Sequence, residues 1–168
     1  TIVARATDAV GNAGNVSASY TVTIDTVAPT LTVLAAPAGT YQIGQAIPIT
    51  ATLSEPVLGG GVVTIGLNTG ASLTLTAVAG TTTATGTYTV QPGQSTSRLR
   101  ATSISVAANP IADLAGNPMV NTALPTNGNN FSDGTGVAVD GDVKLLPVPP
   151  NFSKNPLQVV NLGLSVTE

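Results

Sequence analysis

One five-residue phrase occurs twice in this chain, and its spacing sets the size of whatever folds. Asp8-Ala9-Val10-Gly11-Asn12 returns as Asp113-Leu114-Ala115-Gly116-Asn117, a separation of 105 residues (8 to 113). Each copy leads to a segment that closes on a carboxylate. These are Val22-Thr23-Ile24-Asp25 and Val137-Ala138-Val139-Asp140, 115 residues apart (25 to 140). Both separations are close to the length of one two-sheet β-sandwich, about 100 residues. The chain is therefore expected to hold two successive copies of such a module, the first entered near its end.

The segments between these landmarks alternate with a period of two. Val16, Ala18, Tyr20, Val22 and Ile24 are interleaved with Ser17, Ser19, Thr21 and Thr23, which predicts a strand with one buried face. A lone hairpin is marginal in water, so residues 1–25 call for a sheet that they do not themselves contain. Asp25 to Thr30 is a short link in which Pro29 holds Ala28 extended, a stiff joint. Further strands are expected from Leu31, from Ile47 to Leu53 (with Pro48 suggesting an edge or a strand start), from Val63 to Leu67, and from Leu73 to Ala77 after an Asn68-Thr69-Gly70 turn. Ala84 to Val90, Arg98 to about Val106, a short stretch from Met119 to Leu124, and Val137 to Asp140 complete the set. No segment has helical periodicity, so the expected class is all-β. The predicted core of residues 30–140 is Leu31, Val33, Ile49, Leu53, Ile65, Leu73, Leu75, Tyr88, Val90, Leu99 and Val139. Residues 141–168, crowded with Pro147, Pro149, Pro150 and Pro156, read as a connector feeding the first strands of a following module.

Composition narrows the chemistry. Charged residues make up 8% of the chain, against about 25% in ordinary domains, and hydrophobic residues 42%, a balance that opposes disorder. The five Lys and Arg residues are scattered, so no basic patch exists to grip nucleic acid. With no Cys and no His, zinc sites of the usual kind, thiol nucleophiles and Ser-His-Asp catalysis are excluded. No apolar run is long enough for a membrane-spanning helix. The chain starts at Thr1 inside a strand pattern, which reads as a cut or processed end.

The repeated loop itself offers hard oxygen ligands. Its Gly can take φ > 0 and fold the loop back, so that a carboxylate, an amide oxygen and backbone carbonyls converge, a set suited to calcium. The same residues also make an ordinary tight turn. Repetition of both the loop and the later Asp favours calcium.

Several stretches together resemble a known group. Gly39 to Gly44, Ile49 to Val57 (containing Ser54-Glu55-Pro56-Val57), Gly86 to Gly93, Ile111 to Asn117 and Val137 to Gly141 are similar, in this order, to bacterial immunoglobulin-like repeats of giant cell-surface adhesins and secreted repeat proteins. The resemblance covers about residues 1–141. It implies an immunoglobulin-like antiparallel sandwich: 1–25 as the closing hairpin of a preceding module, 26–29 as linker, 30–140 as a complete module. It also implies an extracellular extender in a tandem array, carrying an adhesive tip and often stiffened by calcium at its junctions. Candidate ligands are then Asp8, Asn12 and Asp25 at one junction and Asp113, Asn117 and Asp140 at the next, with Glu55 as a further carboxylate or simply an exposed strand-end charge. The expected partners are neighbouring repeats or identical subunits.

Rival functions leave identifiable marks. A carbohydrate-binding module would use Tyr41 and Phe131 as a stacking platform for surface glycans. A glycosidase needs two acids across a cleft lined with aromatics, which this chain, 3% aromatic, is poorly equipped to build, so no enzyme is expected. A filament subunit would join the tail, Leu157 to Val166, to the head of another copy by strand addition. The sequons at Asn15, Asn130 and Asn151 arise readily by chance in such a chain. No Lys precedes Lys144, so residues 30–140 cannot hold a Lys-Asn isopeptide bond.

Overall fold

The computed structural model describes residues 1–131 and 136–144. The connector and strands expected over 141–168 therefore lie, from residue 145 onward, outside the described residues.

Eight strands form in chain order: β1 (Leu31–Ala35), β2 (Gly39–Gln42), β3 (Ala46–Leu53), β4 (Val62–Leu67), β5 (Ser72–Ala77), β6 (Thr83–Thr89), β7 (Ala101–Val106) and β8 (Val137–Asp140), with no helix among the described residues. Six of them make one antiparallel sheet in the order β1-β3-β6-β5-β4-β7, while β2 and β8 pair in parallel. The reason is legible in β3, β4 and β5, where every second residue is buried: Ile47, Ile49, Ala51 and Leu53 in β3, then Val63, Ile65 and Leu67, then Leu73, Leu75 and Ala77. Thr and Ser occupy much of the opposite face, as a half-solvated antiparallel sheet requires. To bury one apolar face with no helix available, the sheet must curl and be closed by other strands. Val137 and Val139 of β8 join the same core as the sheet. Besides β2, β8 pairs with residues 96–99: the amides of Thr96 and Leu99 donate to Val139 O and Val137 O at 2.9 and 2.7 Å. Those residues run directly into β7, which ties the small sheet to the edge of the large one.

The outer edge of β1 is also covered. Leu34 N–H donates to Asn129 O at 2.8 Å, and Phe131 N–H returns to Leu34 O at 2.9 Å. Asn130 then clamps this loop to β7, its Oδ1 accepting from Ala101 N–H and its Nδ2 donating to Ala101 O, both at 2.9 Å. The Asn130 side-chain nitrogen is thus committed to the fold.

Three local expectations change. Leu34, fully buried, takes the core place expected for Val33, which is only half-buried. A bulge between Leu31 and Val33 inserts one residue into β1 and reverses the alternation beyond it. Pro48 lies in an interior strand rather than at an edge, because β3 runs between β1 and β6. It is tolerated because the β1 ladder stops at Ala35 opposite Thr50, short of the position where a donor would be missed. Met119 to Leu124 forms no strand, although Met119 is buried and its N–H donates to Ile111 O at 2.7 Å.

Residues 1–25 pair arm to arm, through Ile2 with Tyr20 and Thr7 with Ala13, while Val22 and Ile24 stay exposed. The bulge gives a direct test of the core. Leu34→Ala should cost about 2–5 kcal/mol, the range for a leucine deleted from a packed interior. Val33→Ala should cost no more than about 1 kcal/mol in the same denaturant titration. Equal costs would mean that β1 continues without the bulge.

Candidate metal centre

Strand pairing brings three carboxylates to one end of the sheet. Leu31 at the start of β1 faces Leu53 at the end of β3, so the linker before β1 and the turn after β3 must emerge side by side. Ser54 fixes the crossing: its N–H donates to Thr30 O at 2.9 Å and its Oγ accepts from Thr30 N–H at 3.0 Å. Glu55 follows at once. The loop after β7 reaches the same place because Val57 pairs with Asp113 and Leu58 N–H donates to Ala112 O at 2.8 Å. Carboxylate oxygens of Asp25, Glu55 and Asp113 lie within 4.8 Å of one another as a result.

Asp113 is the anchor of the group. It is buried, yet Asn117 N–H reaches its Oδ1 and Asn117 Nδ2 its Oδ2, both at 2.7 Å. Burial pushes the Asp113 pKa upward, but the side-chain and backbone bonds from Asn117, with those of Gly116 and Ala115, outweigh it and hold the group below its ordinary value. Glu55 shifts the other way. Burial raises its pKa first, and the charges of Asp25 and Asp113 raise it further. The triad thus holds mutually repelling carboxylates in a half-buried site, an arrangement that a divalent cation relieves. Hard oxygen donors of this kind suit calcium or magnesium.

The linker is gripped from the same loop. Asn117 Nδ2 lies 3.1 Å from Asp25 O and 3.5 Å from Val27 O. Asp25 Oδ1 accepts from Val27 N–H at 3.0 Å, which turns the linker locally, and Pro29 is buried beyond it.

The other residues expected as ligands stand elsewhere. Asp8 and Asn12 form their own exposed turn, in which Asn12 Nδ2 donates to Asp8 Oδ2 at 2.8 Å and lowers the Asp8 pKa. They are not in the triad: Asp25 meets Glu55 and Asp113 instead. Asp140 pairs with Lys144 at 3.0 Å, and this bond lowers its pKa. The grouping differs from the expected one because the segment after Asp25 runs into β1, which pairs with β3 just ahead of Glu55. No local signal in the sequence places Asp25 beside Glu55; the antiparallel register of β1 with β3 does. The aromatic platform also changes: Phe131 is 2% exposed and has no free face for a sugar, and the Tyr41 hydroxyl donates to Pro37 O at 3.1 Å.

The pH dependence follows from these directions. A carboxyl whose folded pKa is raised favours the folded state while protonated, so without a cation Glu55 lowers stability as pH rises through and above its ordinary value of 4.5. Asp113, depressed below 3.8, adds stability above that value and loses it as pH falls through its folded pKa. Glu55→Gln should raise Tm by a few degrees at neutral pH in chelator and give no such gain near pH 3. A gain that persists at pH 3 would mean that repulsion is not its source.

Comparison with protein-family models, with curated proteins and with solved structures finds no match to this chain.

Proposed function

We propose that the chain is an extender repeat from the stalk of a bacterial cell-surface adhesin, an immunoglobulin-like sandwich at residues 30–140 whose junction is stiffened by calcium. The observation that carries this reading is the placement of Asp25. A linker carboxylate stands within 4.8 Å of two carboxylates belonging to the sandwich, so an ion shared among them would bind linker and module together. Asn117 already holds two linker carbonyls at the same point. An extender needs stiff joints and no catalytic cleft, and load along the chain would pass through this contact. The internal repeat of the Asp-Asn loop supports a tandem array, and the outward position of the chain is part of the same proposal.

Calcium sites of extracellular modules commonly bind at about 10⁻⁴ to 10⁻³ M. A ligand that binds only the folded state at a few millimolar then stabilises it by about 1–2 kcal/mol. Melting in 5 mM calcium against chelator should show that gain, magnesium should give less, and Asp25→Asn should abolish the difference. Identical melting curves in calcium and chelator would mean that no calcium is held at Asp25.

A further inference from the structure

Residues 6–14 repeat the conformation of residues 111–119 bond for bond. Asp8 N–H donates to Asn12 O at 2.9 Å, as Asp113 N–H does to Asn117 O at 3.1 Å. Asn12 N–H reaches Asp8 Oδ1 at 2.8 Å, as Asn117 N–H reaches Asp113 Oδ1 at 2.7 Å. Gly11 and Gly116 both have φ 91°. The register holds beyond the loop, where Gly14 N–H donates to Ala6 O at 2.9 Å and Met119 N–H to Ile111 O at 2.7 Å.

The surroundings of the two copies differ. Asn117 Nδ2 also holds the Asp25 and Val27 carbonyls, whereas Asn12 Nδ2 has Asp8 Oδ2 as its sole partner among the described residues. Val137 and Val139 are 2% and 3% exposed, their strand flanked by β2 on one side and residues 96–99 on the other. Val22 and Ile24, at the matching places of the first copy, are 49% and 81% exposed. Pairing between the arms ends at Tyr20, and residues 21–24 make no backbone hydrogen bond among the described residues. An extended segment with free donors and acceptors and apolar side chains is a strand without its neighbours.

We propose that residues 1–25 are the acceptor surface for a second sandwich body, built like residues 25–105. One of its strands would pair in parallel with residues 21–24 as β2 pairs with β8, and another antiparallel as residues 96–99 do. Asn12 grips an extended Asp-Xaa-Val segment as Asn117 grips Asp25-Thr26-Val27. The occupant is identified by what fills the same places in the second copy. This rests on the tandem-repeat reading, and it requires no calcium.

The test is to place a second copy of residues 25–105 directly ahead of Thr1 in the full chain, so that Thr1 follows where Val106 follows natively. Hydrogen exchange at residues 21–24, read in chelator, should slow by on the order of a hundredfold against the unextended chain. The added copy should unfold cooperatively in calorimetry. In the extended chain, Val22→Asp combined with Ile24→Asp should restore fast exchange there while residues 30–140 melt as before. Exchange at 21–24 that stays as fast as in the unextended chain, or slow exchange that survives the double substitution, would overturn the proposal. So would slow exchange in the unextended chain that accompanies a doubling of its mass, because the partner would then be a second copy meeting that edge. Loss of calcium sensitivity bears on the ion at Asp25 and leaves this outcome untouched.

Discussion

Burial of a single apolar face is the constraint on which the rest of this structure depends. The chain has no cysteine to cross-link it and charges on 8% of its residues, so stability must come from the strand faces bearing Ile47 to Leu53, Val63 to Leu67 and Leu73 to Ala77. A sheet with one such face has to curl and close. Closure creates long connections, and their polar groups must be satisfied where they cross the sheet. Asparagine amides serve that need repeatedly. Asn130 brackets the Ala101 peptide, Asn68 bridges to Arg98 O and Arg100 N, and Asn117 ties the loop after β7 to the linker before β1. A neutral amide donates and accepts without the desolvation cost of a buried ion.

At the linker end this economy breaks down. Asp113 is a buried carboxylate where the other charged groups among the described residues are at least partly exposed, and its own hydrogen bonds explain how it persists there. They do not relieve Glu55, which meets both Asp113 and Asp25. Repulsion is retained where the segment before β1 and the sheet each contribute an acid, and a cation held there would offset that cost.

Much of the fold was legible because the sheet is amphipathic. Alternation identified β3 to β6, and ten of the eleven residues expected in the core, Tyr88 and Leu99 among them, are buried. It failed at Val33, where one inserted residue reverses the pattern, and a bulge leaves no mark in composition. It also missed Phe131, buried with φ 54° in a segment that reads as a polar loop, where its N–H pairs with Leu34 O along the edge of β1. The candidate site was legible residue by residue but not as a set. Asp25, Glu55 and Asp113 were each singled out by type, yet chain order grouped Asp25 with Asp8 and Asn12. Pairing of β1 with β3 decides the grouping, and pairing is a long-range property that local patterns do not carry.

If calcium stiffens the junction as proposed, it holds the N-terminal hairpin at one angle to residues 30–140. Because the chain contains no cysteine, spin labels can be placed singly at the exposed positions Val10 and Val78 through Val10→Cys and Val78→Cys. Their distance distribution, measured by pulsed electron paramagnetic resonance, should be narrow in calcium and broad in chelator, with Asp25→Asn broad in both. A distribution of the same width in calcium and chelator would mean that the ion does not set this angle.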